Sequence, residues 1–274
     1  MDLIKPFLQD IHQNDNQEWL AANRDYYNQA FRRNAQYIKL LIELIGKFDS
    51  SVASLTLNQC SFNIERDQRI KINDRKYNDF FSGSFTRGGK YSGYASYYYQ
   101  ISPEPSSSGG SFLAVGLYRP NKELLTCFKR LIVEFGTQEF DDMIKHTGFK
   151  IYDKEYVKRI PSDISVDKKY EHYFHMRDIL LILPLEFEWF EQENWCKKAA
   201  KIFEKCKPFI DFVNSAVDNY RNSSALPVGH GLRPIKRLER STIRRNANTT
   251  PTQLKRSYKL KIDDEFVDIS ETIK

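Results

Sequence analysis

The spacing of apolar residues changes twice along this chain, and those two changes narrow the folds open to it. Trp19, Ala22, Tyr26, Ala30, Phe31, Ile38, Leu41, Ile42 and Ile45 recur every three to four residues, which is the stripe of an amphipathic helix. Asn16 stands where a cap is needed, Glu18 sits near the positive helix end, and Gly46 closes the element. From Ser54 to Tyr118 the period falls towards two. SFNIERDQRIKI, YASYYYQIS and SFLAVGLY are rich in β-branched and aromatic residues, and TRGGKYSG and PEPSSSGG between them read as hairpin loops. Beyond Arg119-Pro120 the helical period returns, with Leu124, Leu125, Phe128, Leu131, Ile132 and Phe135 on one stripe and FDDMIKHTGF as a shorter helix. The region 150–192 reads as irregular. A last helix is expected from about Asn194 to Tyr220, kinked or restarted at Pro208. The order predicts one α+β domain over 1–220, a mostly antiparallel sheet of three to five strands flanked by N-terminal and C-terminal helices.

Charge is distributed just as unevenly. The whole chain carries +6, but residues 1–220 are neutral, and 221–261 hold eleven Lys+Arg against Glu239 alone. Residues 262–274 hold five acids and Lys274. With Pro227, Pro234 and Pro251 and little periodicity, 221–274 reads as a basic, flexible tail with an acidic end. Such a tail would attract nucleic acid or another acidic partner through 221–261, and Tyr258 as its one aromatic limits base stacking. No apolar window is long enough for a membrane span. MDLIKPFLQD lacks the basic and apolar regions of a secretory signal. Cys60, Cys127, Cys196 and Cys206 show no CxxC spacing and read as reduced thiols of a cytoplasmic protein. No G-x-S-x-G, H-E-x-x-H or Walker pattern occurs, and His172 and His175 lack further ligands at suitable spacing, so neither cofactor nor metal is expected.

The stretch NIERDQRIKINDRKY, residues 63–77, sets five cations and three acids around three isoleucines. Side chains alternate along a strand, so Arg66 shares a face with Phe62, Ile64, Ile70 and Ile72. Asp67 and Arg69 fall together on the opposite face, where they could pair. A structural ion-pair network and an anion site both fit this pattern.

Several pieces resemble the bacterial and fungal family known as domain of unknown function 2461. Asn14-Asp15-Asn16-Gln17-Glu18-Trp19-Leu20 looks like its opening N-N-x-R-E-W-F. Phe62-Asn63-Ile64-Glu65-Arg66-Asp67-Gln68-Arg69-Ile70, followed by Tyr77, is similar to its signature strand F-R-I-x-R-D-x-R-F. Gly116-Leu117-Tyr118-Arg119-Pro120 resembles G-L-W-x-P, and Lys158-Arg159-Ile160-Pro161 resembles K-R-x-P. The resemblance spans about 1–220 and implies a site in which Arg66, Arg69, Tyr77, Arg119, Lys158 and Arg159 hold a phosphate or carboxylate. Asp67 would be the candidate acid or base. Departures are concentrated in one place. The family's D-K-x-P-Y-K stands here as Asn73-Asp74-Arg75-Lys76-Tyr77-Asn78, an erosion that favours binding of a small anionic ligand over catalysis. The alternative is an enzyme acting on a phosphorylated or carboxylated small molecule.

Overall fold

Three helices open the chain, as the apolar stripe requires: α1 (Ile4–Gln13), α2 (Gln17–Ala22) and α3 (Arg24–Gly46). The computed structural model describes residues 3–66, 75–152, 156–161, 163–224, 259–262 and 265–268. After the short α4 (Leu57–Cys60) come β1 (Phe81–Thr86), β2 (Ser96–Ile101) and β3 (Ser111–Leu117). Then follow α5 (Lys122–Phe135), α6 (Thr137–Thr147), β4 (Lys150–Ile151), α7 (Glu171–Phe174) and β5 (Ile179–Leu185). The chain continues through α8 (Phe187–Glu191), α9 (Trp195–Lys205) and α10 (Lys207–Ser224) to a hairpin of β6 (Lys259–Ile262) and β7 (Glu265–Asp268). The fold is α+β, with one five-stranded antiparallel sheet in the order β1-β2-β3-β5-β4.

The chain is divided between two units. The first comprises Met1–Leu117, Phe149–Ile151 and Leu180–Lys207, and it holds the sheet, α1 to α4, α8 and α9. The second comprises Tyr118–Gly148, Tyr152–Ile179 and Pro208–Lys274, with α5, α6, α7 and α10. Aromatic residues fill the first core: Tyr99 meets Trp195 edge-on at 5.3 Å, and Tyr97 meets Phe203 at 5.5 Å. Their phenols keep hydrogen-bond partners inside, Tyr99 donating to Asn34 Oδ1 at 2.7 Å and Tyr97 to Asp49 Oδ2 at 3.0 Å. Gly83 in β1 is what lets this happen, since a Cβ there would stand 2.6 Å from the Tyr99 ring. In the second unit Phe128, Phe140 and Phe212 pack ring to ring at 5.3–5.9 Å.

Asn16 caps α2 by accepting the Trp19 N–H at 2.8 Å, and the last helix restarts at Lys207-Pro208. Other expectations need correction. Gly46 is the last residue of α3 and not a left-handed cap; its Cβ would lie 2.9 Å from Ala53 Cα, so close approach explains it. The expected strand over 61–72 is absent from the part described, where Ser61 and Glu65 make only isolated bridges to Gly83 and Tyr77. Residues 150–192 are not irregular throughout, because β4 and β5 complete the sheet. The tail lies outside the described residues apart from the end of α10 and the β6–β7 hairpin. No helix among the described residues is long and apolar enough to cross a membrane.

Candidate functional site

Residues 75–79 are fastened to the turn between α1 and α2, and the fastening creates a cleft. The last carbonyls of α1 have no partner within the helix. Arg75 Nη2 donates to two of them, Ile11 O at 3.1 Å and His12 O at 3.0 Å. Asp15 accepts the Lys76 and Tyr77 amides, each at 2.9 Å. Asp79, 1% exposed, accepts from His12 Nδ1 at 2.7 Å and from the Ser107 amide and hydroxyl at 2.8 Å each. Burial pushes the Asp79 carboxyl up, but the hydrogen bonds from His12 and Ser107 and the Arg75 charge outweigh it, holding the group below its ordinary range.

Opposite this anchor run residues 64–66. Asn78 N donates to Ile64 O at 2.8 Å and Arg66 N to Lys76 O at 2.9 Å, so two short rungs join the segments. Their side chains keep strand alternation: Ile64 is buried, Glu65 exposed and Arg66 half-buried, with Arg66 Nε donating to Asn78 Oδ1 at 3.0 Å.

Between these rungs and the start of α2 and α3 lies an open cleft of ≈ 470 Å³, lined by Gln17, Leu20, Ala21, Arg24, Glu65, Arg66, Lys76 and Tyr77. Arg24 lies over the Tyr27 ring at 5.4 Å. Neither its guanidinium nor the Lys76 ammonium has a hydrogen-bond or ion-pair partner among the described residues. The Tyr77 phenol is raised above its ordinary value by burial, then by the Glu65, Asp15 and Glu18 carboxylates, with Arg24 acting against them. Asp15 is turned onto the two amides, and neither it nor Glu18 lines the cleft.

Of the residues expected at a site, Arg66 and Tyr77 therefore share one cleft. Asp67 and Arg69 lie outside the described residues. Arg119, Lys158 and Arg159 belong to the second unit, where all three are exposed. Arg119 adopts φ 50°, unusual for a residue with a Cβ, and its amide donates to the buried Asp178 at 2.6 Å. Nearby, Arg177 Nη1 donates to Pro120 O at 3.0 Å. Lys129, 2% exposed on the apolar face of α5, is pushed down to about 8 by burial and by the Arg177 charge.

Sequence reasoning missed Arg24 and Lys76. Arg24 opens α3 and carried no signal. Lys76 and Tyr77 sit in the stretch aligned with D-K-x-P-Y-K, which had marked the place without marking the charge. The Arg87–Lys90 loop is not an anion nest, because Lys90 Nζ donates to Asn58 O at 2.8 Å and to Ser61 O, while the Gly89 amide goes to Thr86 O at 2.7 Å. Burial pushes the Cys60 and Cys196 thiols up to about 12, which leaves them protonated and poor nucleophiles. Among the described residues no three His, Cys, Asp or Glu side chains gather as a metal site. No curated protein and no solved structure matches the chain. Residues 4–212 match the family model of the conserved hypothetical proteins DUF2461, and the chain belongs to that family.

Proposed function

We propose that this protein binds a small anion, phosphorylated or carboxylated, in the cleft of its first unit and does so without transforming it. One observation carries the reading: Arg24 and Lys76, with no counterion among the described residues, line the same cleft as Arg66. Charge-assisted hydrogen bonds to such groups contribute about 1.5–3 kcal/mol each. The volume falls within the range of small-molecule sites, roughly 300–1,000 Å³. Binding is favoured over catalysis because the cleft offers no activated nucleophile. The tyrosine that lines it keeps its proton, and the expected acid or base, Asp67, lies outside the described residues. An enzyme acting on a phosphorylated or carboxylated molecule would need Glu65 in that role.

A second reading rests on the charge of 221–261, eleven cations against one acid, which suits nucleic acid or an acidic protein. A cytoplasmic location accords with four free thiols. The cleft is tested with the full chain by thermal shift in inorganic phosphate and in citrate, wild type beside an Arg24→Ala/Lys76→Ala double variant. Stabilisation of the wild type alone supports the reading. Equal response, or none, removes it. Salt-sensitive binding of an oligonucleotide that survives in the double variant and vanishes without 225–274 would assign polyanion binding to the tail.

A further inference from the structure

We infer that the ligand of the cleft is a phosphate monoester of a polyhydroxylated carbon skeleton, an inference that rests on the anion-binding reading above. Charge gives the first argument. Arg24, Arg66 and Lys76 face a single lining acid, Glu65, which leaves two positive charges in excess. A phosphate monoester supplies two negative charges above its second pKa near 6, whereas a simple carboxylate supplies one. Arg forks and a lysine point charge both suit phosphate oxygens.

The rest of the lining decides what the phosphate is attached to. Glu65 is exposed and, among the described residues, has no hydrogen-bond or ion-pair partner. A carboxylate beside an anion site repels a bare anion, but it accepts hydrogen bonds from hydroxyls carried on the same molecule. Gln17, also exposed, adds a donor and an acceptor on the α2 side. The apolar lining is small, Leu20 being 3% exposed and Ala21 offering one methyl. Nucleobases are held by stacking on exposed ring faces. The ring in this lining, Tyr77, is 6% exposed and presents no such face, so a polyol ester fits where a nucleotide gains nothing from its base.

Isothermal titration of the full chain with four probes tests this: ribose 5-phosphate, AMP, inorganic phosphate and ribonate. The expected result is ribose 5-phosphate at least tenfold tighter than phosphate or ribonate, with AMP no tighter than ribose 5-phosphate. Glu65→Gln should narrow the gap between ribose 5-phosphate and phosphate while leaving phosphate binding equal or stronger. A residue that merely holds the fold would not produce that pattern. Lowering the pH from 7.5 to 5.5 should weaken ribose 5-phosphate about threefold or more as the ester loses its second charge, and should spare ribonate. If phosphate, ribonate and ribose 5-phosphate bind alike and all are lost in Arg24→Ala/Lys76→Ala, the anion site stands and the polyol ester is overturned. Tightest binding of AMP overturns it as well. No binding by any probe removes the anion site itself.

Discussion

Asp79 in the first unit and Lys129 in the second are almost equally enclosed, 1% and 2% exposed, yet their surroundings treat them in opposite ways. Asp79 receives three hydrogen bonds, from an imidazole, an amide and a hydroxyl. Asp49 in the same unit accepts from Ser51 N at 3.1 Å, Ser51 Oγ at 2.6 Å and the Tyr97 phenol. The second unit serves its acids too: Asp141 accepts from Tyr173 and from Lys145, each at 2.7 Å. Lys129 alone has no acceptor, among the described residues, and its charged neighbour is another cation. A buried carboxylate can be satisfied by amides and hydroxyls that the chain already carries. A buried ammonium needs acceptors, and where none is placed it gives up proton affinity instead.

The largest effect expected from breaking this contrast is at Asp79. Asp79→Asn leaves the Ser107 and His12 donors poorly matched in a closed site, and should cost about 3 kcal/mol in chemical denaturation. The sign with pH follows from the lowered carboxyl. Its stabilising contribution is complete above the unfolded value near 4 and is lost as pH falls through the folded one, so wild type and variant should converge in acid. A gap that persists unchanged at low pH would mean that shape, not charge, matters there.

Lys129→Met sharpens the contrast in the other direction and should stabilise the protein by about 1–2 kcal/mol at pH 7. Between about 8 and the ordinary 10.5 the unfolded chain holds the proton that the folded one has released. Wild-type stability therefore rises with pH across that window, and the advantage of the methionine variant should shrink over it. Destabilisation by this change at every pH would show the ammonium to be satisfied after all. Tyr173→Phe, which removes one donor from Asp141, should cost about 1 kcal/mol by the same denaturation assay. Smallest of all is the effect of Arg24→Ala/Lys76→Ala on stability, within about 0.5 kcal/mol, since both side chains are exposed. Its effect on phosphate binding should be complete.

What could be read in advance follows the range of the forces involved. The Asn16 cap and the stripe of α3 are local, so residue spacing reveals them. β2 and β3 declare themselves by aromatic and β-branched residues. β5 does not, because ILLILPL has no alternation and its Pro184 argues against a strand. The cleft was half legible. Arg66 and Tyr77 lay in the charged stretch, whereas Arg24 reaches the same place only because Asp15 and Arg75 tie together segments some sixty residues apart. Lys129 could have been noticed as a lysine four residues after Leu125 on an apolar stripe, but its lack of an acceptor is a tertiary fact.

The interleaving of the two units bears on how such a chain can be taken apart. It passes from one unit to the other five times, and each unit is assembled from three separate stretches. Neither can therefore be inherited, exchanged or expressed as a single run of codons. A ribosome must deliver residues beyond 180 before the sheet has its central β5, and every earlier nascent chain is an unfinished version of both units at once.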